Sequence, residues 1–488
     1  MTKSATLAVA ACCSLLWVAC ATQAPRSGLV VSNVTVVSPE RATSLEHAYV
    51  RILDGRIAEL SERRLRGETE IDGTGRYLIP GLIDSHVHLV VPPGFPSPMT
   101  AEQAAAYPDI VAAALAQDPK SYLFFGFTTV VDLVGSAERT TQWNALELRP
   151  DAYFCGAAAI MNSQIRYAHY PYFSYGLPFE ERIPPVVDPA RHTPEAVIDS
   201  MAGDGAICAK TVYDAYAGVT PTVAEVQALV AAAHARDLPV FIHANRKSSQ
   251  AAAVAAGVDV IAHGMWRDRD EDPGLDVEAR QILETVARNN IGYQPTTQVI
   301  VGELDMFDDD YLARPELADA YPTAVIDWYR RMRGQLTHWT VNAGPGAEAG
   351  PRGSIARGAE VTRFLAEADA RLLFGTDTPS DWIYTNPPGL NGRLEMNNWI
   401  AAGVSEEKLF RALTIDNARL LQLDDEIGTV EPGKTANLLL LRADPLQGVE
   451  AYDTIETVFL HGRPVPRVEL SARHASRDAG ESSAQTGN

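Results

Sequence analysis

The chain has 488 residues, 46% of them hydrophobic, and a formal net charge of −21. That length is too great for one small domain and suits a large barrel with an accessory domain. The acidic balance, with no long basic block, argues against nucleic-acid binding and against electrostatic attraction to anionic membranes.

The N-terminus, "MTKSATLAVAACCSLLWVACATQAPRSG", has Lys3, an apolar run from Ala5 to Val18 and then small residues. It reads as a secretory signal peptide over 1–19, too short for a transmembrane helix. Its end, "WVAC", is similar to the bacterial lipoprotein processing box, with Trp17 where Leu is usual and Val18 and Ala19 in pattern. Cleavage before Cys20 leaves a lipidated Cys20 on a polar tether, 20–28, and the acyl chains anchor the folded part of the chain to a membrane. Ala21, rather than Asp, after it favours the outer membrane; ordinary cleavage nearby would leave a soluble periplasmic or secreted protein. Of the five cysteines, Cys12 and Cys13 depart with the signal, so Cys155 and Cys208 alone remain beside Cys20. That is no disulfide framework, and both are expected as buried small hydrophobes in strands.

From Leu29 the pattern is β: "LVVSNVTVV", then "AYVRILDGRIAEL", with Asp54-Gly55 between two alternating runs as a hairpin signal. A second β patch, "IGTVEPGKTANLLLLRADP" and "IETVFLHGRPV", lies near the other end. Together they predict a small β-sandwich domain built from 29–77 and 424–468. Between them, 78–423, short apolar runs alternate with Ala-rich helical stretches. The candidate strands are "GLIDSHVHL", "TTVVDLV", "AYFCGAAAI", "AICAKTVYD", "PVFIHAN", "DVIAHG", "IGYQPTTQ" and "RLLFGTDTP". One intervening helix is expected in "TPTVAEVQALVAAAHARD", with Thr220 as N-cap and Pro221 in the first turn. Eight such units are the pattern of an α/β TIM (β/α)8 barrel. The stretch from Val299 to Ala370 is expected to be helical and to roof the site. The polar tail, 469–488, is expected to be disordered.

His86 and His88 sit two apart in the first strand, so both rings point one way. Two converging imidazoles usually share a metal ion. Lys210 ends strand four, His243 strand five, His263 strand six and Asp377 strand eight. In a barrel these strand ends form the active-site face, so six groups converge on one mouth.

The HxH pair, the strand-four lysine, the two later histidines and "FGTDTP" resemble the amidohydrolase superfamily. So do "PGLIDSHVH", "ALTIDNARLLQL" and the terminal "GTVEPGKTANLLLL", in which Asn437 stands where the family usually has Asp. The resemblance spans nearly the whole mature chain and is nearest the imidazolonepropionase-like and Xaa-Pro-dipeptidase-like branch. It implies a binuclear site with two divalent metal ions, Zn²⁺ first, and Mn²⁺, Co²⁺ or Fe²⁺ as substitutes. In that pattern Lys210 is carboxylated by carbon dioxide and bridges the ions. His86, His88 and Asp377 hold one ion, and His243 and His263 the other. A hydroxide between the ions attacks, and Asp377 is the catalytic acid/base. Asp84 is expected to orient these ligands.

The substrate side is thinner. Tyr213, Arg166, His169, Arg246 and Tyr293 are candidate rim contacts, Arg166 by bidentate binding of a carboxylate. The Gly-Gly-His pattern of the dipeptidases is absent. The resemblance implies an exported hydrolase of small amides, a dipeptide or N-acyl amino acid first. The same site chemistry would serve a lactonase, cyclic amidase or phosphoesterase. A mononuclear deaminase is a rival, but Asn245 and Arg246 follow His243 where those relatives place an acid. A non-catalytic lipoprotein scaffold is another, and homo-oligomers fit as well.

Overall fold

The structure is a computed structural model and describes residues 28–89, 92–95, 101–159, 168–169, 193–213, 220–266, 274–336, 344–379 and 383–474. The N-terminal leader with Cys20, Arg166 and the chain beyond 474 lie outside the described residues.

Five strands come first: β1 (Leu29–Val36), β2 (Leu45–Leu53), β3 (Arg56–Ser61), β4 (Thr69–Asp72) and β5 (Tyr77–Pro80). Next are β6 (Leu82–Val87), β7 (Phe127–Asp132), β8 (Asp151–Ala159), β9 (Ala168–His169), β10 (Cys208–Val212), β11 (Val240–His243), β12 (Val260–Ala262) and β13 (Gly292–Gln294). The last are β14 (Leu438–Leu441), β15 (Ile455–Leu460) and β16 (Arg463–Pro466).

The terminal segments form one sheet in the order β16-β15-β14-β5-β1-β2-β3, with β4 also on β1. The two ends of the chain meet where β5 and β14 pair antiparallel. Val31, Val50, Ile57, Leu438 and Phe459 pack into its separate core. A bridge from Arg56 to Thr435 brings the β3 edge back towards the approach to β14. The β2–β3 hairpin turns at Asp54 (φ 50°) and Gly55 (φ 80°), both left-handed, as an Asp-Gly type I′ turn requires.

The central strands form a parallel sheet in the order β6-β7-β8-β10-β11-β12-β13, with β9 antiparallel against the end of β8. The segment expected as strand eight makes no ladder of its own. It bridges Leu372 to Tyr293 on one side and Thr378 to Val87 on the other, and so joins the sheet's two edges. Helices Thr297–Asp305, Thr323–Met332 and Ala349–Glu367 fill the long stretch before it.

The barrel interior is a layer of Ile83, Val131, Cys155, Cys208, Phe241, Val260 and Leu373, with Ala418 and Ile427 against it. Here the expectation of two isolated thiols is corrected. Cys155 and Cys208 are a disulfide, with Cα atoms 4.4 Å apart. The β8–β10 register sets them directly opposite one another, both facing inward.

Other expectations shift for identifiable reasons. The helix expected to start at Thr220 is Val223–His234, because Thr222 and Glu225 form a reciprocal capping box. The tail does not become irregular at 469. Leu470 is fully buried, its carbonyl accepts from Gln117, and Arg473 pairs with Asp319 at 3.0 Å. Asn437 is a seam between the sheet domain and the barrel. Its amide donates to Asp151 at the start of β8 (2.8 Å) and its oxygen accepts from the His461 N–H (2.8 Å). An aspartate there would oppose a second carboxylate.

Candidate metal centre

Each site residue reaches the barrel mouth by a local device. On β6 the pairing with β7 shifts between Asp84 and Val87, so three residues span what two span on the partner. Such a bulge re-aims side chains. Ile83 joins the interior layer, and further along His86 and His88 both face the mouth, their rings 5.3 Å apart edge to face. Asp84 clamps the surroundings: its carboxylate accepts from the His86 N–H at 3.2 Å and from the Thr376 N–H and hydroxyl at 3.1 and 2.7 Å.

His263 follows β12 with φ 80°, and Asp377 has φ 59°. Non-glycine residues in the left-handed region carry about 1–3 kcal/mol of strain, and such residues cluster at functional sites. The strain has a visible result. His263 and Asp377 turn to one point with His86, where one ligand atom from each lies within 4.8 Å of the others.

Around that point, Asp377 Oδ1 is 2.8 Å from His88 Nε2 and 3.1 Å from His86 Nε2. Its Oδ2 is 3.6 Å from His263 Nδ1. The His243 ring lies 4.3 Å from that of His263, and the Asn245 amide sits 3.1 Å from His243 Nε2. Lys210 is buried on the inward face of β10, two residues beyond Cys208, and acts electrostatically on Asp377, His86 and His263. The structure thus brings His86, His88, His263 and Asp377 together, with His243 beside His263 and Lys210 buried on the inward face of β10.

Their electrostatics are unbalanced. Burial pushes His86 down to about 3 and His263 well below the ordinary imidazole range, so both are neutral near pH 7. Burial also pushes Lys210 down to about 8. Burial opposes the charge of Asp377, yet the positive charge that His263 and His86 carry once protonated at low pH, together with the hydrogen bond from His88, outweighs that and holds it well below the usual carboxylate range. An ionised carboxylate beside the neutral imidazoles of His86 and His263 is a site for a cation. His86 Nε2 makes the point most directly: it is buried, faces Asp377, and has no hydrogen-bond partner.

The expected substrate contacts fall out differently. Tyr293 is not at the rim: it is fully buried in the layer outside the barrel, its hydroxyl 2.9 Å from the Gln250 amide. The two-residue period sends its neighbour Gln294 inward instead. Arg246 is exposed at the N-cap of helix Lys247–Ala256. Tyr213 is half-buried just past β10, and its N–H donates to the His243 carbonyl. His169 pairs through its backbone with Ala158.

Several residues that pattern reading did not single out surround the histidines. Gln294 meets His86 Nδ1 at 3.1 Å and Thr296 meets His263 Nδ1 at 3.1 Å. Asp132, at the end of β7, is 3.9 Å from His88 Nδ1 and is itself held by Arg139 at 3.0 Å. Gln294 and Asp132 sit at strand ends, the one signal that would have marked them, and Thr296 lies two residues past β13 at the N-cap of helix Thr297–Asp305.

A candidate prolidase from Bifidobacterium longum superposes with a TM-score of 0.60 at 22% identity, covering 90% of this chain and 95% of that one. A Xaa-Pro dipeptidase with methionine bound in its active site gives 0.60 at 20%, covering 90% and 99%. These likenesses establish the fold. An N-acetylglucosamine-6-phosphate deacetylase of Lysinibacillus sphaericus is 34% identical over 61 residues, 12% of this chain and only 15% of that relative's length. The profile of the amidohydrolase family matches residues 77–465, from the end of the first sheet segment through the whole barrel to β16, and the chain belongs to that family.

Proposed function

We propose that this protein is a metal-dependent hydrolase that cleaves an amide bond of a small substrate, a dipeptide or N-acyl amino acid. The carrying observation is the unpartnered His86 Nε2, buried 3.1 Å from an ionised Asp377 carboxylate. Two groups with lone pairs face each other there, and a divalent cation satisfies both. Nitrogen and carboxylate donors suit Zn²⁺. His86, His88 and Asp377 would hold one ion; His243 and His263 the second. Lys210 would bridge them as a carbamate: its neutral Nζ forms a bond to carbon dioxide and releases one proton to water. Bound cations of this kind supply an activated water and polarise a substrate carbonyl.

The chain's own part is proton handling. The two oxygens of Asp377 reach different sides of the cluster. One can take the proton of the attacking water, and the carboxyl then returns it to the leaving amine nitrogen. The amide reading draws on the family and on relatives named as a Xaa-Pro dipeptidase and a deacetylase. Asn245, in place of an acid after His243, weighs against deamination.

The test is amine release from a panel of dipeptides and N-acyl amino acids. The purified protein is reconstituted with Zn²⁺ and bicarbonate. Turnover of a defined subset, lost on chelation and regained with Zn²⁺, is the expected result. No turnover by protein holding two metal ions per chain would overturn the amide reading in favour of lactones, cyclic amides or phosphoesters.

We also propose export with lipidation at Cys20. The buried Cys155–Cys208 disulfide supports an oxidising compartment. Mass spectrometry of envelope-extracted protein should find a diacylglyceryl Cys20 at the N-terminus. A cytosolic chain with residues 1–19 intact would refute this.

A further inference from the structure

Strand β13 supplies none of the six converging groups, yet its last residue touches one of them. Gln294 is fully buried, with Oε1 3.1 Å from His86 Nδ1. The other end of its amide fixes which atom faces the histidine. Gln294 Nε2 lies 2.8 Å from Ser85 Oγ and 3.5 Å from the Ser85 carbonyl. The Ser85 hydroxyl hydrogen is directed to the Phe374 carbonyl at 2.7 Å, with Asn417 Oδ1 at 3.0 Å. Towards Gln294, then, Ser85 offers only acceptors, and only the amide nitrogen can answer them. The amide oxygen is left facing His86, so Nδ1 must bring the hydrogen.

The backing is rigid. Asn417 donates to the Phe374 carbonyl at 2.8 Å and to the Ile83 carbonyl at 3.1 Å, and it is fully buried like Ser85. Gly375 closes over the pair. A Cβ there would lie 2.6 Å from His86 Cβ and 2.8 Å from Gln294 Nε2, so a side chain would push the two apart.

We propose that Gln294 is a positioning residue that locks His86 in the Nδ1–H tautomer, leaving the Nε2 lone pair aimed beside Asp377 for a divalent cation. This rests on the metal-dependent reading above. It extends that reading to a residue that binds neither metal nor substrate. A ligating histidine generally has its other nitrogen held in this way, and loss of such a partner costs 10–100-fold in metal affinity. Gln294 is a neutral holder: it fixes the tautomer without adding negative charge to a crowded site.

The experiment is a Zn²⁺ titration of the full chain against a chromophoric chelator, alongside Co²⁺ absorption spectra. Gln294→Leu keeps the bulk and removes the acceptor. Gln294→Glu restores the acceptor facing His86, and its second oxygen is met once the Ser85 hydroxyl turns to it from the Phe374 carbonyl. The expected result is a loss of roughly 10–100-fold in affinity at one of two sites in Gln294→Leu, a perturbed Co²⁺ spectrum, and recovery in Gln294→Glu. Wild-type affinity at both sites in Gln294→Leu would overturn the proposal. So would equal losses in the Leu and Glu variants, which would mark a packing role. Should Gln294→Leu not fold, Ser85→Ala frees the amide to rotate and is expected to lose about 10-fold; unchanged affinity there overturns the proposal equally. Wild-type protein that takes up no metal would fail the functional reading itself, and this inference with it.

Discussion

Asp377→Asn is expected to lower kcat by roughly 10³–10⁴-fold while leaving the fold intact. Proton transfer by a placed side chain is worth about 10²–10⁴-fold, and Asp377 is also a proposed ligand, so the upper part of that range applies. Asparagine has the same shape. It should keep the left-handed backbone at φ 59°, a region where Asn is one of the tolerated residues. What changes is charge and donor sense. The amide cannot take a proton, and its NH₂ end would point either at His88 and His86 or at His263. Steady-state kinetics should be read together with metal content. A fall in kcat with one or both ions retained assigns the proton role. A near-normal kcat would mean that the acid/base group lies elsewhere.

The HxH pair was legible because a strand's period of two is insensitive to where the strand sits. His243 ends β11 and His263 follows β12, positions legible because a parallel barrel puts every strand's C-terminal end on one face, whereas Lys210 lies in the middle of β10 and Asp377 in a segment without a ladder. The Asp54-Gly55 hairpin carried its turn geometry in two residues. What the sequence hid was phase and register. Nothing in "IGYQPTTQ" says whether Tyr293 or Gln294 turns inward on a three-residue strand, and the aromatic took the outer layer while the amide took the site. The Cys155–Cys208 pair depends on the alignment of β8 and β10, between residues 53 positions apart in the chain. The left-handed turns at His263 and Asp377 break the strand alternation that pattern reading relies on. Their strain is tolerated where the surrounding backbone is pinned, as Asp84 pins His86 and Thr376.

Lys210→Ala should cost at least about 10²-fold in metal affinity, above what an outer partner is worth, with loss of most activity. The reason lies in where Lys210 is. It is buried on the inward face of β10 above the Cys155–Cys208 disulfide, with burial bringing its amine down to about 8. An ammonium there would repel any cation held by His86 and His263. Carboxylation reverses the sign of its charge and turns an obstacle into a ligand with two oxygens. Two readouts separate this from a packing role. Wild-type apoprotein reloaded with Zn²⁺ in buffer stripped of carbon dioxide should recover slowly or incompletely, and bicarbonate should speed it. Lys210→Ala leaves a cavity the length of the side chain, so a short carboxylate such as acetate should restore part of the metal binding. Bicarbonate-independent loading, together with full metal content in Lys210→Ala, would remove Lys210 from the centre. It would leave His86, His263 and Asp377 as the core of a mononuclear site.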